Sequence, residues 1–263
     1  MTIYKPKPED YVHSTIQGKE YKLLSSKACE KFNPSLLGVG DLTQAAEATD
    51  SIAAVFDLQG FTDFCKQIEP HLSVPLFLSE FLSWLMEQIK TEMIYEVYPA
   101  GARLWSPLPF FVKFMGDGLL LLWDSSEMDE IQRRNIIVSL CYICDNYPKK
   151  FLPNIGSRVV DPPSRLRCGI ARGTAYSVGN GNDFVGSCIN MAARLEKLPG
   201  STFAFNRRGF DLDASNVAKF FRERIVVKRV SIRGIGENEL VGMLKSEVDS
   251  MRAPDKKHYR DSQ

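Results

Sequence analysis

From Ser51 onward the chain switches sharply between apolar runs and polar punctuation, and that pattern predicts most of its elements. Ile52–Phe56 is a continuous apolar run ending at Asp57 and then Gly60, as expected of a buried strand entering a tight loop. Phe61–Ile68 begins a helix, and a longer one runs from Val74 to about Tyr95, with Leu76, Phe77, Phe81, Trp84, Leu85 and Ile89 at helical spacing. A loop bracketed by Pro99 and Pro107 leads to strands Phe110–Met115 and Leu119–Trp123. Gly116-Asp117-Gly118 joins them, its glycines permitting the positive φ of a hairpin. Asp129 to about Tyr147 reads as a helix and Pro148–Pro163 as a connecting loop. Leu166–Ile170 and Thr174–Val178 read as two strands, and Ser187–Leu198 as a helix closed by Pro199-Gly200. Strand Thr202–Phe205, helix Arg208–Arg222 and the strand pair Ile225–Ile232 and Glu239–Leu244 follow, then a polar tail expected to be disordered at its end. Residues 1–50 are weakly periodic, with turns at Asn33-Pro34 and Gly38-Val39-Gly40 and a short helix over Leu42–Ala48.

The element order fits a βαββαβ core with additional strands and helices, in the α+β or α/β layer class, with α+β the fold expected. The chain then divides into an N-terminal extension over residues 1–50, expected to pack on or near a main domain over 51–244, and a C-terminal tail over 245–263.

Composition narrows the function classes. With 263 residues and 44% hydrophobic side chains the chain can bury a full core. Lys and Arg total 33 against 32 Asp and Glu, which argues against non-specific grip on nucleic acid or anionic membrane. Met1–Asp10 has no apolar core to serve as a signal peptide, and Leu119–Trp123 is far too short to span a bilayer, so a soluble, cytoplasmic protein is expected. Cys141 and Cys144 form a CxxC inside a helical pattern. Core packing is the favoured reading, redox or metal work the alternative. His13, His71 and His258 are scattered, so a bound metal would be held by carboxylates.

Two carboxylates have a suggestive setting. Asp57 ends an apolar strand and Asp117 sits at the tip of an apolar hairpin. If those strands are neighbours, both side chains converge at one sheet edge and, with water and phosphate oxygens, suit Mg²⁺ or Mn²⁺. The plain readings are a helix N-cap for Asp57 and a good Asp-Gly turn for Asp117. Gly60-Phe61-Thr62 is either an ordinary strand-to-helix turn or a loop whose free N–H groups suit phosphate. Asn190 and Arg194, at i and i+4, share one helix face: a solvated face, or an amide and guanidinium for a sugar and a phosphorus centre.

Together these stretches resemble the class III nucleotidyl cyclases. Ala54–Thr62 is the first, Val112–Gly118 the second, and Leu166–Gly173 leading to Asp183–Arg194 the third. Ser231–Leu240 is the fourth, and the likeness spans about residues 50–244 in family order. The resemblance implies that Asp57 and Asp117 bind two divalent metal ions, Mn²⁺ or Mg²⁺, with the Leu58 carbonyl as a further ligand. It implies that the Gly60, Phe61 and Thr62 backbone cradles the triphosphate, and that Asn190 and Arg194 orient the ribose and stabilise the pentavalent phosphorus. Lys113 and Asp183 fall where purine cyclases place base-reading residues. Arg233 stands where many relatives carry a phosphate-binding lysine. The family is a head-to-tail dimer with shared sites, so a homodimer follows, since one chain holds both halves.

Within the family the sequence is most similar to the pyrimidine cyclases of bacterial Pycsar anti-phage defence, on Phe56–Cys65, Pro70–Leu78 and Phe81–Leu85 and on a shortened stretch between Gly173 and Gly186. That resemblance implies conversion of UTP to cyclic UMP and pyrophosphate, signalling through a cyclic-nucleotide-binding effector. Cyclic CMP from CTP, a purine cyclase using Lys113 and Asp183, and a silent cyclase-like nucleotide-binding domain are the alternatives.

Overall fold

A computed structural model describes residues 4–210 and 219–262. In chain order the elements are β1 (Tyr11–Ile16), β2 (Lys19–Leu24), α1 (Ser26–Glu30), β3 (Ala48–Gln59), α2 (Phe61–Phe64), α3 (Pro70–Met93), β4 (Ile94–Tyr98), β5 (Gly101–Leu104), β6 (Phe111–Phe114) and β7 (Gly118–Asp124). They continue as α4 (Glu130–Asn146), α5 (Leu152–Ile155), β8 (Arg165–Val178), β9 (Asp183–Gly186), α6 (Ser187–Leu195), β10 (Phe203–Asn206) and α7 (Lys219–Arg224). Strands β11 (Ile225–Ile232) and β12 (Gly236–Leu244), helices α8 (Lys245–Ser250) and α9 (Ala253–Lys256), and β13 (Tyr259–Asp261) complete the chain.

The chain divides into two compact units. The smaller holds residues 4–48 with 176–185. In it β1 and β2 pair antiparallel across Gln17 and Gly18, both at positive φ, the twist a two-residue hairpin needs. The Ser177 N–H donates to the Glu47 carbonyl at 2.9 Å, and the Asp41 N–H donates to Asn180 Oδ1 at 3.0 Å. The helix expected over Leu42–Ala48 is absent; those residues form turns and the start of β3.

The larger unit, residues 49–175 and 186–262, carries the expected α+β architecture. Its sheet runs β13-β11-β12-β10-β8-β3-β7-β6. Strand β3 is central and buried from Ser51 to Phe56, as its unbroken apolar run requires. Helix α3 buries Phe77, Phe81, Leu85, Ile89 and Met93, one residue per turn. Phe77, Phe81, Trp84, Tyr147 and Phe151 stack and edge against one another beneath α3. Polar ends of the aromatics are satisfied: the Trp123 Nε1–H donates to the Pro107 carbonyl at 2.8 Å and the Tyr147 hydroxyl to the Pro163 carbonyl at 2.6 Å. Cys141 and Cys144 are buried and free, and burial pushes both thiols up, which fits packing rather than reactivity.

Several expectations are corrected here. The loop between Pro99 and Pro107 is preceded and partly replaced by the β4–β5 hairpin, whose exposed Tyr95, Val97 and Tyr98 lack the alternation that marks a half-buried strand. Pro148–Pro163 is partly helical, with a widened turn over Tyr147–Phe151 continuing into α5. The two strands expected on either side of Gly173 are one, β8, of 14 residues. The tail carries structure as far as Asp261: α8 buries Val248, and β13 pairs antiparallel with β11, while the last residue lies outside the described ones. The helix expected over Arg208–Arg222 lies largely on residues 211–218, outside the described residues, with α7 at its end.

Candidate active site

Antiparallel pairing of β3 with β7 puts Asp57 opposite Gly118. Asp117 therefore sits directly beside Asp57, held there by a turn whose Gly116 has φ +91°. A Cβ at Gly118 would stand 2.0 Å from the Phe56 carbonyl oxygen, so only glycine lets the strands meet here. Burial, and then the charge of Asp57, raise the Asp117 carboxyl above its ordinary range. Asp57 does not cap a helix, since the N-cap of α2 is Gly60, at φ +91° and with no side-chain cap. As the first residues of that turn, Phe61 and Thr62 have no intrahelical acceptor for their N–H groups.

A group that spacing did not reveal stands beside the two aspartates. Arg167, on β8, donates from Nε to Asp57 Oδ2 at 3.0 Å and from Nη2 to the same oxygen. The same Nη2 lies 3.5 Å from Glu196 Oε2, and Lys197 Nζ lies 3.4 Å from Glu196 Oε1. The Glu196 side chain is only 2% exposed. Burial and the charge of Asp57 push its carboxyl up to about 7 against the opposing pull of Arg167 and Lys197. Strand alternation puts Arg167 on the face opposite Leu166, Cys168 and Ile170, and that pattern alone carries no sign of its aspartate partner. Arg167 also borders a cavity of about 890 Å³ that includes Gln59, Lys149, Arg165 and Lys197 in its wall.

Helix α6 buries Cys188, Met191, Ala192 and Leu195 and leaves Asn190 and Arg194 exposed on its other face. Glycines let it lie close to the sheet: a Cβ at Gly169 would stand 2.1 Å from the Ala192 carbonyl oxygen. Arg194 reaches the turn between β11 and β12, where a Cβ at Gly234 would lie 3.5 Å from its Nη2. Arg194 and the Arg233-containing turn thus come together, with Arg233 itself exposed. Asn190 lines a cleft of about 410 Å³ with Arg172, Asn206, Arg208, Gly234 and Glu239. That cleft and the cavity beside Arg167 have no wall residue in common. Lys113 lies on β6 in the larger unit. Asp183 opens β9 in the smaller, its Oδ1 accepting from the Phe184 N–H at 2.8 Å.

The donor chemistry suits a hard divalent cation. Asp57 and Asp117 offer carboxylate oxygens in mutual repulsion, which such a cation relieves. Among the described residues no cluster of three or more His, Cys, Asp or Glu converges, so further donors would come from water and substrate phosphates.

No protein-family model and no curated protein matches the chain. Solved structures do. The guanylyl cyclase Cya2 superposes with a TM-score of 0.55 at 16% identity, over 76% of this chain and 94% of that one. A bacterial light-regulated adenylyl cyclase gives 0.51 at 16% identity, over 84% of this chain and 61% of that one. The guanylate cyclase domain of RhGC from Catenaria anguillulae, in complex with GTP, gives 0.50 at 15% identity, over 76% and 98%. The chain has the class III nucleotidyl cyclase fold. Among the described residues no helix is long and apolar enough to cross a membrane.

Proposed function

We propose that this chain is a nucleotidyl cyclase that converts UTP to 3′,5′-cyclic UMP and pyrophosphate, with CTP as the alternative substrate. The observation that carries the cyclase reading is the Asp57–Gly118 pairing, which sets two carboxylates side by side at the end of β3. The pyrimidine reading rests on the Phe56–Cys65, Pro70–Leu78 and Phe81–Leu85 stretches and the short Gly173–Gly186 segment. A purine substrate is the second reading, favoured by Lys113 and Asp183 standing where purine cyclases carry their base-reading pair.

Asp57, Asp117 and the Leu58 carbonyl would hold two Mg²⁺ or Mn²⁺ ions, which when bound acidify the ribose 3′-hydroxyl and offset triphosphate charge. The N–H groups of Phe61 and Thr62 donate to phosphate oxygens at the turn that Gly60 makes possible. Asn190 hydrogen-bonds the ribose and fixes the 3′-oxygen in line with the α-phosphorus. As the bond from the 3′-oxygen to phosphorus forms and the bond to the β-phosphate oxygen breaks, Arg194 donates to the equatorial oxygens, where charge develops. Arg233, in the turn beside Arg194, adds positive charge for the departing pyrophosphate. The 3′ proton passes to solvent.

A homodimer with shared sites is the assembly that fits this division of labour. Asn190 and Arg194 stand exposed on α6, with Arg194 at the β11–β12 turn, an arrangement that leaves both open to a second copy if α6 of one chain completes the carboxylate site of another. In the cell the product would act in the cytoplasm on a cyclic-nucleotide-binding effector, as a signal in anti-phage defence. Asp57→Ala and Asp117→Ala are expected to abolish cyclic nucleotide production while the melting curve stays that of a folded protein. Unimpaired production by either variant overturns the metal-site assignment.

A further inference from the structure

We infer that the cavity of about 890 Å³ at the start of β8 is a second binding site, one for a small phosphorylated organic molecule. Gln59 and Arg167 are where its wall comes nearest the two aspartates, and neither Asp57 nor Asp117 lines it. Another part of the wall is Ser246, Glu247, Ser250, Met251, Arg252 and Asp255, past the stretch that resembles class III cyclases. That part is firmly seated. Glu247 accepts from the Thr202 N–H at 3.0 Å and from the Ser201 hydroxyl at 3.2 Å, and the Tyr259 hydroxyl donates to the Pro199 carbonyl at 2.6 Å. Met251 packs so closely on Gly200 that a Cβ there would stand 3.0 Å from its Cγ. The tail thus builds a fixed wall, and its volume lies in the range of about 300–1,000 Å³ that suits small organic ligands.

The balance of donors and acceptors gives the ligand's chemistry. Each carboxylate in the wall is already engaged: Asp145 by Arg224, Asp255 by Arg252, and Glu247 by Ser201 and Thr202. The cations outnumber them. The side chains of Lys149 and Arg165 make no hydrogen bond or ion pair among the described residues, although Arg165 acts through space on Glu247. Both are exposed, so water solvates them until a ligand arrives. Surplus N–H donors call for a ligand rich in acceptor oxygens, and a phosphate group presents three to a lysine and a guanidinium fork. Pro148, Leu198, Pro199 and Met251 add apolar wall, which a bare inorganic ion would not use. A nucleoside monophosphate has both parts. The inference does not depend on what the aspartate site catalyses.

Calorimetric titration of the full chain with 5′-UMP tests it, with EDTA present so that no divalent ion links phosphate to the aspartates. Because the probe could also meet Arg194 and Arg233, a chain carrying Arg194→Ala and Arg233→Ala is titrated alongside. Saturable binding should persist in that chain and weaken about tenfold with Lys149→Ala or Arg165→Gln, each of which removes one charged donor. Uridine should not bind, and citrate should bind more weakly than 5′-UMP. Scanning fluorimetry should show the same melting temperature for both cavity variants as for the unsubstituted chain. Absence of binding in the Arg194→Ala, Arg233→Ala chain overturns the second site, and so does binding indifferent to Lys149→Ala and Arg165→Gln. Uridine or citrate binding as tightly as 5′-UMP overturns the phosphate assignment.

Discussion

Gly169→Ala is a one-methyl perturbation whose consequence can be worked from the packing of α6 on β8. The new Cβ would stand 2.1 Å from the Ala192 carbonyl oxygen, 2.5 Å from the Glu196 nitrogen and 3.0 Å from Leu195 Cβ. Ordinary contact begins near 3.4 Å, so the helix must retreat by about 1.3 Å, or the strand must bend by as much. Two of the three obstacles are backbone atoms, which cannot rotate away. The retreat would open the seam where Cys188, Met191, Ala192 and Leu195 are buried. Overpacking of this kind costs about 1–3 kcal/mol. In a chain of this size that corresponds to a melting temperature lower by about 3–10 °C. Because Asn190 and Arg194 ride on the displaced helix, a shift of about 1 Å should also slow turnover on the order of 100-fold. Differential scanning fluorimetry and a cyclic-nucleotide assay read the two effects. An unchanged melting temperature together with unchanged turnover would refute the claim that α6 is seated through Gly169.

Three further outcomes are expected. Mixing Asp57→Ala chains with Arg194→Ala chains should restore about a quarter of the original activity, since half the random dimers hold one intact site out of two; no recovery would show that sites are not shared. Glu196, whose carboxyl burial raises to about 7, binds its proton more tightly folded than unfolded. Its stabilising effect is therefore complete below the ordinary glutamate range and is lost as pH rises through about 7, a fall that Glu196→Gln should flatten in urea titrations. Trp123→Phe, which removes the donor to the Pro107 carbonyl from a fully buried side chain, should destabilise by about 1–3 kcal/mol in the same titrations.

The sequence disclosed the parts of the fold whose burial is one-sided or complete. The Ile52–Phe56 and Leu119–Trp123 runs are buried on both faces and announce themselves as strands, and α6 is legible because its apolar and polar faces separate cleanly. The β4–β5 hairpin carries exposed aromatic and aliphatic residues, so no alternation marks it. Gly173-Thr174 looks like a break, yet β8 runs through it, with Ser187 and Cys188 atoms 3.4 Å from where a Gly173 Cβ would be. At the candidate site, Asp57 and Asp117 stand out because each interrupts an apolar run. Arg167 and Glu196 do not, because their roles arise from contacts across the fold: Arg167 meets an aspartate 110 positions away. No local pattern encodes such a contact, and only the pairing of β8 beside β3 creates it.

The most direct test of the central claim is product analysis. The purified protein would be incubated separately with ATP, GTP, CTP and UTP in the presence of Mn²⁺, and the products separated and identified by mass. Cyclic UMP with pyrophosphate from UTP, absent with Asp57→Ala, is the predicted result. Cyclic AMP or GMP alone would contradict the pyrimidine assignment and return Lys113 and Asp183 to purine reading; no cyclic product from any of the four would contradict the account as a whole.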